Sequence, residues 1–210
     1  MNIYFVRHGE STENAYHLVN PLDSALTDLG KSQSELVAKR FQNIKIDRIF
    51  CSNTKRAKQT AETINKYQKT IVEETELAGE QLPPTSIWGK KETDPKSEEF
   101  FNLRDKNIHD PKYRYADEET FEDFTSRVFK FLKKLENLEY KNILVIGHGY
   151  VLRTLVGYIL FGEDYNSYNF VSLRDNFKTV NTGVTLCELS KETGWKLVTW
   201  NDYSHLDQFQ

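Results

Sequence analysis

The chain has 210 residues, of which 38% are hydrophobic, 28% charged and 13% aromatic, a composition that excludes disordered and fibrous classes and suits one sizeable core. Its formal net charge of −3 excludes the broad basic field that holds nucleic acid or an anionic membrane, so any anion site has to be local. Two cysteines, Cys51 and Cys187, make neither a disulfide framework nor a metal cluster and are expected as buried small side chains in a reducing compartment.

The opening stretch MNIYFVRHG carries no basic leader or apolar signal segment, and nowhere do about 18 apolar residues run together. A cytoplasmic protein with no membrane-spanning segment is expected. Residues 2–6 are a β-favouring run, Ile3-Tyr4-Phe5-Val6, that stops abruptly at Arg7-His8-Gly9-Glu10, the pattern of a buried strand ending in a functional loop. Thr27 is placed to cap a helix over 28–42, with Leu29, Leu36, Val37 and Phe41 on one face. A second strand is predicted over 48–51, followed by a helix capped at Ser52 or Asn53 and striped by Ala57, Ala61 and Ile64.

A third strand is predicted over 70–73. From about 77 to 117 the periodicity is lost and four of the five prolines occur, so this stretch reads as a loop-rich insertion. Lys90, Lys91, Arg104, Lys112 and Arg114 make it a candidate lid. After Thr120 the spacing of Phe121, Phe124, Val128, Phe131, Leu132, Leu135 and Leu138 predicts an amphipathic helix. Residues 142–146 are the most hydrophobic strand and end in Gly147-His148-Gly149, before a nearly all-apolar helix over 151–161. Strands over 184–189 and 195–200 flank the turn-prone Lys191-Glu192-Thr193-Gly194.

This alternation predicts a single α/β domain over residues 1–210, a three-layer sandwich with a mainly parallel sheet and helices on both faces. In open sheets of this kind ligands collect at the carboxyl ends of strands. Arg7 and His8, the segment 52–56, and His148 all follow strands there, so they are expected to share one crevice. His8 and His148 stand apart from His17, His109 and His205 because each directly follows a hydrophobic strand and adjoins glycine. Arg40 and Arg127 read as solvated surface. Arg7, beside His8, and Arg56, in the first turn of a helix pointing at the crevice, instead suggest a phosphate receptor, because guanidinium forks and helix N-termini both match phosphate oxygens.

The segment with Arg7-His8-Gly9-Glu10-Ser11 and Asn14 resembles the opening signature of the histidine phosphatase superfamily, the phosphoglycerate mutase-like proteins. Leu26-Thr27 with Gly30 and Gln33, then Ser52, Arg56, Ala57 and Thr60, then Gly147-His148-Gly149 resemble its later motifs in the same order. The resemblance implies that His8 is the nucleophile that accepts the phosphoryl group, which Arg7, Arg56 and His148 bind with help from Asn14 and the backbone N–H of Gly149. It implies a carboxyl proton donor in the insertion. Glu80 is the choice, because Glu80, Pro84, Thr85 and Gly89 match the spacing of some phosphatase members, and Glu76 is its rival. No metal or cofactor is expected.

The stretch 17–21 lacks the arginine and the threonine-glycine pair that mutases use around their substrate, which favours a phosphatase acting on a small phosphorylated metabolite. A cofactor-dependent phosphoglycerate mutase is the nearest alternative, and a non-catalytic phosphate-binding member the next. A metal-dependent hydrolase using His8, His148 and Glu10 lacks any supporting ligand spacing. Oligomeric state is not legible.

Overall fold

The computed structural model describes residues 1–19 and 24–209, the last three of these by backbone alone; residues 20 and 21 of the stretch compared with mutases lie outside it. Six strands form one sheet: β1 (Asn2–Arg7), β2 (Arg48–Ser52), β3 (Val72–Thr75), β4 (Asn142–Gly147), β5 (Val184–Ser190) and β6 (Gly194–Asp202), in the order β3-β2-β4-β1-β5-β6. The first four in that order are mutually parallel. β5 and β6 add an antiparallel pair at the β1 edge.

Seven helices accompany the sheet among the described residues: α1 (Thr12–Tyr16), α2 (Asp28–Phe41), α3 (Lys55–Gln68), α4 (Pro95–Lys106), α5 (Phe121–Glu136), α6 (Gly149–Phe161) and α7 (Ser167–Asn176). Side chains of successive strand residues point to opposite faces, and the central strand β4 is buried on both. Ile143 and Val145 join Phe124, Phe131, Leu152 and Leu155 of α5 and α6 in one core. Leu144 and Ile146 join Val37, Phe41, Ala61 and Ile64 of α2 and α3 in the other. The result is the expected three-layer α/β sandwich. Among the described residues no helix is long and apolar enough to cross a membrane.

Register sets up the functional end of the sheet. Arg7 of β1 lies opposite Gly147 of β4, so His8 and His148 leave adjacent strands side by side, and the His8 N–H donates to Gly147 O at 3.0 Å. On the other flank of β4, Cys51 lies opposite Ile146, which delivers Ser52 and the start of α3 to the same edge.

Several local expectations need correction. The cap of α3 is Thr54, not Ser52 or Asn53, because β2 runs through Ser52 and its hydroxyl bonds the His148 ring instead. β3 begins at Val72, because the Thr70 hydroxyl is turned back to Asp47 O at 2.8 Å. Leu29 is 39% exposed, since the inward face of α2 begins with Gly30 and Gln33. The insertion contains the 12-residue helix α4, started by Asp94 and Pro95. It buries only Ser97 and Phe100 and so leaves no apolar stripe to read. α7 was also not anticipated, although Asn166 and Asn169 form a capping box at its start. Both cysteines are buried and free, and burial pushes their thiols up to about 12.

Candidate active site

A cavity of about 450 Å³ opens at the carboxyl edge of the sheet, and Arg7, His8, Asn14, Arg56, Glu80, His148 and Gly149 all line it. Arg56 stands at its centre. Its Nε donates to His8 Nε2 at 3.1 Å and its Nη2 donates to His148 Nδ1 at 3.3 Å. The two imidazole rings are 5.0 Å apart, centroid to centroid, in an edge-to-face arrangement.

These partners fix the tautomers. His8 Nδ1 is 2.7 Å from Gly9 O, which only accepts, so Nδ1 carries the proton and Nε2 keeps its lone pair. His148 is the mirror case: Nδ1 faces the Arg56 donor, so Nε2–H donates to Ser52 Oγ at 2.9 Å. Both rings are buried, and burial first, then the charge of Arg56, hold both well below the ordinary histidine range. Both imidazoles are therefore neutral near pH 7. Arg7 is lowered to about 10 by burial, which leaves it charged, and its Nη1 is anchored on Thr179 O at 2.8 Å.

Asn14 enters the cavity from α1 with its Oδ1 occupied by Ser11 N and by Asn181 Nδ2, each at 3.2 Å. Its amide NH2 is the end that suits an anion. Gly149 is the first residue of α6, whose N-terminus meets the cavity. A Cβ at this position would lie 3.1 Å from the Arg153 guanidinium and the Thr179 hydroxyl.

The two candidate proton donors separate. Glu80 lines the cavity, with Oε2 accepting from Tyr150 N at 3.1 Å and Oε1 from Gln81 N at 3.2 Å. Glu76 is exposed and does not line it. Arg127, read from sequence as solvated, holds the backbone that carries Glu80: Nη1 donates to Gly79 O at 2.9 Å and Nη2 to Glu80 O at 3.3 Å, while Glu119 grips the same guanidinium. Arg40 is likewise engaged, with Asp202 at 2.6 Å. Of the basic residues suggested for a lid, only Arg104 lines the cavity; Lys90, Lys112 and Arg114 pair with Asp94, Glu122 and Asp123. Glu10 accepts from the Thr27 hydroxyl at 2.7 Å and is no part of the cavity, so it joins no ligand set with the histidines.

Besides Arg127, two features escaped the sequence reading. One is the turn around Asn181, whose Nδ2 donates to His8 O at 2.9 Å and which, with Thr179, pins the loop after β1; the polar run before β5 was its only signal. The other is Glu13, a buried carboxyl group paired with Arg56 Nη1 at 2.9 Å.

Comparison with known proteins identifies the family. Residues 3–203 match the model of the histidine phosphatase superfamily (branch 1). The chain is 28% identical over 210 residues to "Uncharacterized phosphatase PhoE" of Bacillus subtilis, covering 99% of this chain and 97% of that one. The alpha-ribazole phosphatase of Shigella flexneri superposes with a TM-score of 0.81 at 21% identity, covering 96% of each chain. A phosphoserine phosphatase of Entamoeba histolytica, solved with phosphoserine, superposes with a TM-score of 0.79 at 21% identity over 98% of each. With the family model spanning Arg7, His8, Arg56 and His148 of the cavity, the chain belongs to the histidine phosphatase superfamily, branch 1.

Proposed function

We propose that this phosphatase hydrolyses a small phosphomonoester through a phosphohistidine on His8. The observation that carries the reading is the buried, neutral His8 with its Nε2 lone pair directed at Arg56 inside the cavity. A guanidinium at that atom is the natural partner of a phosphoryl group, and the same lone pair is the natural nucleophile.

Arg7 and Arg56 hold the phosphoryl oxygens, with the Asn14 amide and the Gly149 N–H as further donors, while His148, whose one N–H is spent on Ser52, serves phosphoryl binding by orienting Arg56 through Nδ1. Charge spreads over the equatorial oxygens during transfer, so catalysis is mostly positioning and charge stabilisation. His8 Nε2 attacks phosphorus, the ester P–O bond breaks, and its electron pair leaves on the alcohol oxygen, which takes a proton from Glu80. The Glu80 carboxylate then accepts a proton from water as that water attacks phosphorus. The P–N bond breaks, inorganic phosphate leaves, and His8 recovers its lone pair.

Phe100, Phe101, Tyr150 and Phe170 line the cavity together with Arg104 and Arg153, which suits a leaving group with both apolar and anionic parts. Phosphate release from a panel of phosphorylated metabolites, phosphoserine and alpha-ribazole phosphate among them, tests the reading. Isomerised phosphoglycerate without free phosphate would instead mark a mutase.

A further inference from the structure

Glu13 is out of place in a cavity built for an anion. It lies five residues after His8, on the short helix α1, is 5% exposed, and lines the same cavity as the two histidines. Its Oε2 pairs with Arg56 Nη1 at 2.9 Å, while Oε1 is buried with no hydrogen-bond partner. A carboxylate therefore occupies part of the guanidinium on which the phosphoryl group has to land.

We propose that Glu13 is a phosphoryl-binding residue: its carboxylate holds Arg56, and when an anion binds it takes up one proton from solvent and donates a hydrogen bond to that anion. The proposal rests on the reading of this cavity as the phosphoryl site. An ionised carboxyl group and a phosphoryl dianion sharing one desolvated site repel strongly, and such pairs resolve by protonating one member. The resulting O–H···O⁻ bond is of the short, charge-assisted kind. It also gives the unpartnered Oε1 a use.

The proton goes to Glu13 because the alternatives are poorer. It shares the cavity with Arg7 and His8 at the end of β1, Arg56 from α3, Glu80 from the insertion, and His148 and Arg153 at and within α6. Arg104 and Lys178 add further cations, and Glu92, Asp110, Glu118 and Glu119 further carboxylates. The imidazoles are pushed down by burial and Arg56. Burial moves Glu13 the other way, up to about 7, against the opposing pull of Arg56 and Ser11. Near neutral pH its carboxylate is poised to accept a proton.

Sulfate is the probe, since it stays a dianion across the working range. Calorimetry at pH 6 to 8.5, in buffers of different ionisation enthalpy, reads its affinity and the protons taken up. The wild-type protein is expected to lose affinity towards tenfold per pH unit above about 7, with uptake approaching one proton per sulfate at pH 8. Glu13→Gln, which keeps size and hydrogen bonding, is expected to bind with a flat profile and without that uptake. A flat wild-type profile, or an unchanged slope in Glu13→Gln, overturns the proposal and leaves the phosphoryl-site reading standing. Absence of sulfate binding in both proteins overturns both. Should Glu13→Gln fail to fold, the wild-type uptake at pH 8 decides alone.

Discussion

Arg56 donates from Nε to Nε2 of His8 at 3.1 Å, and through its remaining nitrogens it also reaches His148 and Glu13. One guanidinium thus orders His8, His148 and a buried acid. Lysine offers a single point charge and cannot make three directed contacts from one plane.

Replacing Arg56 by alanine is expected to cost about 3 kcal/mol of transition-state stabilisation, on the order of a hundredfold in kcat/KM. Lysine at this position should recover little of it. Arg56→Ala also leaves the buried Glu13 carboxyl without its partner; burial already raises it to about 7, so it is expected to take up a proton, and the loss of stability should be larger above pH 7 than below it. Removing Glu13 as well should return part of that stability and none of the turnover. Denaturant midpoints and steady-state kinetics of the single and double variants check both statements.

Glu80→Gln is expected to slow hydrolysis most for substrates with poor leaving groups, because a good leaving group needs no proton. Glu76→Gln should leave rates unchanged, since that side chain is exposed and outside the cavity. Comparing an aryl with an alkyl phosphate in both variants separates the two carboxyl groups.

Arg127 acts on Glu80 through backbone, by its bonds to the carbonyls of Gly79 and Glu80. Arg127→Ala should therefore lower kcat by on the order of a hundredfold, as small misplacements of a reacting group do. KM should change little, because Arg7 and Arg56, the proposed phosphoryl receptors, are untouched. A change confined to KM would contradict the positioning role.

The fold was legible wherever burial imposed a period. β1, β2 and β4, with helices α2, α3, α5 and α6, carry apolar residues at strand or helical spacing because they pack against one of the two cores. α4 and α7 were not, because each presents few inward side chains and their caps alone announce them. Arg7, His8, Arg56 and His148 were legible from their places after strands and beside glycines. Arg127, Asn181 and Glu13 were not: each works through a contact to a residue distant in the chain or to backbone, and local sequence gives such contacts no mark. Glu13 in particular reads as one more polar residue at the start of a short helix.

Stability should fall as pH drops below the ordinary histidine value of 6.5, because His8 and His148 stay neutral in the fold and take up protons only on unfolding. Their contribution is complete above 6.5 and is lost towards acid. Glu13 contributes with the opposite sign: raised from 4.5 to about 7, its contribution is present in acid and is lost as pH rises through about 7. His148→Gln should flatten the acid limb of a stability-against-pH curve, and Glu13→Gln the limb near neutrality.

The most direct test is rapid acid-free quenching of the enzyme with a 32P-labelled phosphomonoester, followed by mapping of the base-stable, acid-labile label. A transient label on His8, absent along with turnover in His8→Ala, is the expected result. Turnover that survives His8→Ala, or a label on any other residue, would contradict the assignment of His8 as the phosphoryl acceptor.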